Sequence, residues 1–135
     1  MKIEFKKQYE ILFKKANTDI AVSKLLIETK IENIDQEVIL FHLQQASEKL
    51  MKCLLIINKI KFSKTHDIEK LVKLAQKNKI QLIYGIEELE YLTDFAVIGR
   101  YEIMGEDIEE IDNYFELVIK LKNFIKKEVL RNEVK

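Results

Sequence analysis

The first 84 residues contain neither glycine nor proline, and proline is absent from the whole chain. Without the two strongest helix breakers, a helix continues until a polar break ends it. Leucine, isoleucine, lysine and glutamate recur at spacings of three and four, and strict alternation is rare, so the chain is expected to be all-α. Its 135 residues are read as one domain, 1–135, long enough to bury a core without cross-links. Apolar residues at 47% and charged residues at 34% fit a folded chain and argue against disorder.

A first helix is expected over about residues 4–28, with Phe5, Tyr9, Leu12, Ala16, Ile20 and Leu25 turned inward and lysines 6, 7, 14, 15 and 24 outward. The polar break at Glu32, Asn33 and Asp35 ends it, with Asp35 as the N-cap of a second helix whose first inward residue is Val38 and which runs to about Lys59. Thr65-His66-Asp67 precedes a short third helix that packs Ile68, Leu71, Val72 and Ala75 and ends near Lys77. A fourth begins near Ile86, carries Leu89, Leu92 and Ala96 and stops at Gly99, followed by a loop to Gly105. A fifth starts at Glu106, where acids at 106, 107, 109 and 110 suit the positive end of the helix dipole, and lysines accumulate toward its other end. Three long and two shorter helices with modest connections predict an antiparallel up-and-down bundle of four or five helices.

The second helix is apolar on most of its circumference. At about 100° per residue, Ile39, Leu43, Ala46, Leu50, Cys53, Leu54 and Ile57 share one wide face, and Leu40, Met51 and Leu55 cover much of the other. His42, Gln45, Glu48, Lys49 and Lys52 crowd into the remaining strip, roughly 120° wide. Two readings of it stay open. Lys49 and Lys52 offer positive charge to a phosphate, Gln45 offers donor and acceptor, and Glu48 accepts from a ribose hydroxyl or orients Arg100. Alternatively Glu48 pairs with Lys52 four residues on, and Gln45 satisfies its neighbours.

Other polar residues carry similar alternatives. His66 beside Asp67 invites a catalytic reading, but adjacent helical residues do not face each other, and capping or packing of the third helix is preferred. His42 fits a partly buried, hydrogen-bonded residue better than a ligand. With two histidines, one cysteine and no ligand-spaced cluster, no metal is expected. Arg100, with Tyr101 beside it, suits a phosphate or a stacked base. Ten acids surround that arginine between Ile86 and Asp112, so Glu48 or a nearby acid is an equal claimant for it. The same field, and the balance of 23 basic against 23 acidic residues, argues against a nucleic-acid partner. The acidic segment is either a solvated face or a surface for a basic partner. Cys53 falls on the apolar face and has no second cysteine to pair with, which fits a reducing compartment. No apolar run long enough for a signal peptide or a membrane span is found, so a cytoplasmic protein is expected.

Phe41-His42-x-Gln44-Gln45-Ala46-x-Glu48-Lys49-x-x-Lys52, followed by Thr65-His66-Asp67-Ile68 and Arg100-Tyr101, resembles the HEPN domain family, and Ala16-x-x-Asp19-Ile20-Ala21 resembles that family's first helix. The resemblance covers about residues 7–127. It implies a helical bundle, frequently homodimeric, that occurs beside a minimal nucleotidyltransferase in two-gene, often toxin–antitoxin, modules, and in some members a nucleotide ligand. Many members are metal-independent ribonucleases with arginine, four to six residues, then histidine. No histidine follows Arg100, because His42 and His66 both precede it. A family tyrosine that a paired transferase modifies, two residues after that histidine, is likewise unmatched. The expectation is therefore a non-catalytic nucleotide-binding or regulatory partner without a cofactor. The alternatives are a ribonuclease toxin with a degenerate site and a purely structural dimer or adaptor.

Overall fold

The computed structural model describes residues 2–29, 36–96 and 108–134, and within them the side chains of 8–29, 36–96 and 110–131. It contains α1 (Lys2–Thr29), α2 (Gln36–Ile57), α3 (Ile68–Lys77), a 3-10 helix (Ile86–Phe95) and α4 (Ile108–Val134). No strand occurs among the described residues. The expected N-cap Asp35, the cap at Gly99, the loop to Gly105 and the acids at 106 and 107 lie outside the described residues, as does the side chain of Phe5.

The most apolar helix takes the centre, as burial of apolar surface requires. From α2, Leu40, Leu43, Ala46, Leu50, Met51, Cys53 and Leu55 are completely buried, and the helix packs against α1, α3, the 3-10 helix and α4. The first two helices are antiparallel: Cys53 Sγ lies 3.5 Å from the Tyr9 carbonyl oxygen, while Asp19, ten residues further along α1, meets His42 and Lys49 toward the start of α2. Tyr9, Ala16 and Ile20 face this seam as expected. Leu25 does not. It follows Ile20 by five residues, which turns it about 140° away from that line, and it is 61% exposed while Leu26 and Ile27 pack on the core instead. No helix among the described residues is long and apolar enough to cross a membrane.

Asp67 is the N-cap of α3, where its side chain accepts from the Glu69 N–H at 3.0 Å. Thr65 Oγ1 accepts from the Asp67 N–H, also at 3.0 Å, so the Thr-His-Asp segment is a helix start. The fourth element is a 3-10 helix where periodicity pointed to an α-helix. Its buried residues Ile86, Leu89 and Leu92, with half-buried Phe95, recur every three positions, and a line of period three faces one way only at three residues per turn. It opens at Gly85 (φ 85°), beside which a Cβ would meet Leu117 Cδ2 at 3.4 Å.

Helices α2 and α3 end identically, in Asn58-Lys59-Ile60 and Asn78-Lys79-Ile80. In each, the asparagine amide donates to the carbonyl four residues back at 2.8 Å. The lysine N–H reaches back three residues, Lys59 to Ile56 and Lys79 to Gln76, and the isoleucine N–H five, Ile60 to Leu55 and Ile80 to Ala75. These are Schellman endings. Their left-handed position, usually glycine, is held by Lys59 (φ 60°) and Lys79 (φ 59°). A Cβ there clashes with the neighbouring carbonyl. Lys59→Gly and Lys79→Gly are each expected to raise unfolding stability by about 1 kcal/mol, and the two together additively; urea denaturation of the single and double variants measures it.

Candidate functional site

The five residues of the α2 strip share one face, and their partners arrive from two other parts of the chain. Asp19, 7% exposed on α1, is one anchor. Its Oδ1 lies 2.9 Å from His42 Nδ1, and its Oδ2 accepts from Lys49 Nζ at 2.6 Å. Glu48, 5% exposed, is the second. Its Oε1 lies 2.9 Å from His66 Nδ1 on the segment returning from α2 to α3, and its Oε2 accepts from Lys52 Nζ at 2.8 Å. The two centres are built alike, each with one buried carboxylate holding one imidazole and one ammonium.

Gln44 ties the second centre to the backbone. Completely buried, it donates through Nε2 to Glu48 Oε1 at 3.2 Å and to the His66 carbonyl at 3.1 Å, while its Oε1 accepts from Gln45 Nε2 at 2.7 Å. Among the described residues Asn17 Oδ1 is the one buried side-chain oxygen or nitrogen without a partner, so the polar atoms buried within the strip are all satisfied.

The strip thus comes together as expected, and the Glu48–Lys52 pair is present. The lysine pair as a source of surplus charge is corrected: Lys49 and Lys52 each already hold a carboxylate, so two acids and two lysines cancel while the imidazoles are neutral. His66 is oriented by Glu48, whereas the neighbouring Asp67 is occupied with the start of α3. The side chain of His66 is 72% exposed and that of His42 is 23% exposed. With Nδ1 of each ring at a carboxylate, Nε2 is the nitrogen left for a ligand or a proton. Arg100 and Tyr101 lie outside the described residues, and with them the expected contact of Arg100 with Glu48. Asp19 and Gln44 were named as site residues by no local signal. Asp19 is one acid on a long helix, and Gln44 projects beyond the edge of the strip, so the partner across each interface has to be known first.

Burial works against ionising Glu48, but hydrogen bonds from Lys52, His66 and Gln44 and the charge of Lys52 outweigh it and hold the carboxyl below its ordinary 4.5. At the acidic junction of α3 and the 3-10 helix the balance is reversed: burial and the nearby Glu69 and Glu87 push the Glu90 carboxyl up. Cys53 has its thiol pushed up to about 12 by burial, which leaves it unreactive. Among the described residues no three His, Cys, Asp or Glu side chains converge as a metal ion requires.

An all-α bundle whose central helix carries a buried, charge-paired strip is the class defined by these features. The family model of the HEPN domain matches residues 9–129, and the chain belongs to that family. A crystal structure of an archaeal HEPN homologue matches with a TM-score of 0.62 over 90% of this chain and 97% of the other, at 20% identity, a likeness of fold. No curated protein matches the chain in sequence.

A carboxyl held below its usual range is ionised more readily folded than unfolded, so Glu48 stabilises the fold above about pH 4.5 and this contribution disappears as acid protonates the native state. Glu48→Gln is expected to cost about 2 kcal/mol at pH 7, because it leaves Lys52 without its anion. It should also flatten the loss of stability between pH 5 and pH 3; denaturant titrations of both proteins across that range measure both effects.

Proposed function

We propose that the chain is a non-catalytic HEPN partner that binds a nucleotide along the outer edge of the α2 strip and regulates a minimal nucleotidyltransferase in a two-protein module of toxin–antitoxin type. One observation carries the nucleotide reading: the strip is a fixed array of donors and acceptors, held from within by Asp19 and Glu48, whose outer edge presents Gln45, two lysine ammoniums and two imidazole nitrogens. Side chains already held in place lose little freedom when a ligand arrives. Because each ammonium is shared with a carboxylate, a phosphate meets partly neutralised charge, so affinity is modest and weakens with salt. The family resemblance supports the partner. The absence of a histidine after Arg100 supports a role without RNA cleavage.

A second reading has one observation in its favour. Glu48 orients an exposed His66, which is how a carboxylate prepares an imidazole for proton transfer. Incubation of the protein with total cellular RNA separates the two: cleavage lost in Arg100→Ala or His66→Ala means a ribonuclease, whereas intact RNA supports the binding protein. A structural adaptor would bind neither nucleotide nor RNA.

Calorimetry with ATP, GTP, ADP and GDP is expected to show binding by the wild type. Affinity should be at least about tenfold weaker in Lys49→Ala/Lys52→Ala, or about 1.4 kcal/mol, with helicity checked by circular dichroism. No heat with any of the four overturns the nucleotide part. Failure of a co-expressed minimal nucleotidyltransferase to co-purify overturns the partner part.

A further inference from the structure

An ionised carboxylate only accepts hydrogen bonds. Asp19 Oδ1 and Glu48 Oε1 therefore place the hydrogen of the imidazole that each one holds on Nδ1, at 2.9 Å in both centres. A neutral ring whose hydrogen sits on Nδ1 presents a bare lone pair at Nε2. Gln45 is set in the same sense, because its Nε2 donates to Gln44 and leaves its Oε1 to accept. The neutral strip thus offers acceptors to a phosphate, which is itself an acceptor, and both of its ammoniums are already matched by carboxylates.

We propose that the strip takes up a proton with each phosphoryl group it binds, so that His42 and His66 engage the ligand as imidazolium ions, and that the ligand class is a nucleoside diphosphate with one phosphoryl group at each centre. The proposal rests on the nucleotide reading above and states the chemistry by which that site would work. A proton drawn from solvent onto Nε2 turns the lone pair into a donor while the Nδ1–H stays on its carboxylate, so no bond of the strip is broken. Each centre then passes from zero to one positive charge, because carboxylate and ammonium cancel and the imidazole alone changes. Of these three group types only an imidazole ordinarily titrates between about pH 5 and pH 8. His42 is joined to Asp19 on α1 and, across that carboxylate, to Lys49 of its own helix, with the Phe41 ring edge-on at 5.3 Å. His66 is joined to Glu48 and, across it, to Lys52 on α2, while its neighbour Asp67 is turned to the start of α3. With those charges balanced, the incoming anion decides the state of both rings and favours the charged one. Lys49 and Lys52 leave α2 about 4.5 Å apart along its axis, a step suited to successive phosphoryl groups.

Calorimetry with ADP at pH 7.2 in Tris and in Pipes, which differ widely in ionisation enthalpy, counts the protons. The wild type is expected to take up more than about one proton per ADP, and at most about one per AMP. His66→Gln, exposed and still able to donate to Glu48, should bring the ADP value down to roughly half, since each imidazole carries its own share. Affinity of the wild type for ADP should be at least about tenfold tighter at pH 6 than at pH 8. ADP binding with uptake below about 0.3 proton overturns the proposal and leaves the nucleotide reading standing, because hydroxyl or amino groups of the ligand would then be meeting the two lone pairs. Uptake unchanged in both His66→Gln and His42→Gln also overturns it, since the proton would then reside on the phosphate. No heat with ADP overturns both.

Discussion

Among the buried carboxylates of the described residues, Asp19 and Glu48 are the two taken out of water beside the polar strip of α2, and the arrangement of the bundle answers to that constraint. Each unpaired buried ion would cost several kcal/mol. Asp19 and Glu48 avoid the cost only because α2 delivers an ammonium and an imidazole reaches each of them at hydrogen-bond distance. Asp19 therefore fixes how far α1 slides along α2: one residue of slip would carry it about 1.5 Å along the axis and 100° around it, away from His42 and Lys49. Glu48 does the same for the return from α2 to α3. Through His66 and Gln44 it holds that segment at the level where Asp67 can cap the next helix.

The same requirement shapes what the surface can do. Lysines that look like phosphate ligands in the sequence are first structural counter-ions, each hydrogen-bonded to a buried carboxylate. On the proposed reading, such a surface discriminates by the placement of hydrogen bonds more than by attraction at a distance. Both histidines, His42 and His66, precede Arg100 in the chain and are held by the carboxylates of the strip.

Much of the fold was legible because α2 carries so strong an apolar signal. A helix buried on most sides has to be central, and Leu40, Leu43, Leu50 and Met51 are fully buried, as periodicity requires. The start of α3 was legible from Thr65 and Asp67, whose chemistry is local. The 3-10 helix was not, because apolar residues three apart fit an α-helix almost as well. The ends of α2 and α3 were legible near Lys59 and Lys77, but not their shared Schellman form, because lysine is uncommon in the left-handed conformation that it requires. Within the site, His42, Gln45, Glu48, Lys49 and Lys52 could be found on one helix by projection. Their partners Asp19 and His66 lie 30 and 18 residues away from Lys49 and Glu48, and no helical period relates residues on different elements.

The central claim is that buried, paired carboxylates hold the bundle in register, and a double-mutant cycle on Asp19 and Lys49 tests it most directly. Asp19→Asn and Lys49→Met remove each charge while keeping most of the side-chain shape. Unfolding free energies of the wild type, the two single variants and the double variant at pH 7 are predicted to give a coupling of about 2 kcal/mol, with the double variant far less damaged than the singles imply. A coupling below about 0.3 kcal/mol, the additivity expected of independent sites, would mean that the pair does not hold the helices together and would contradict the account.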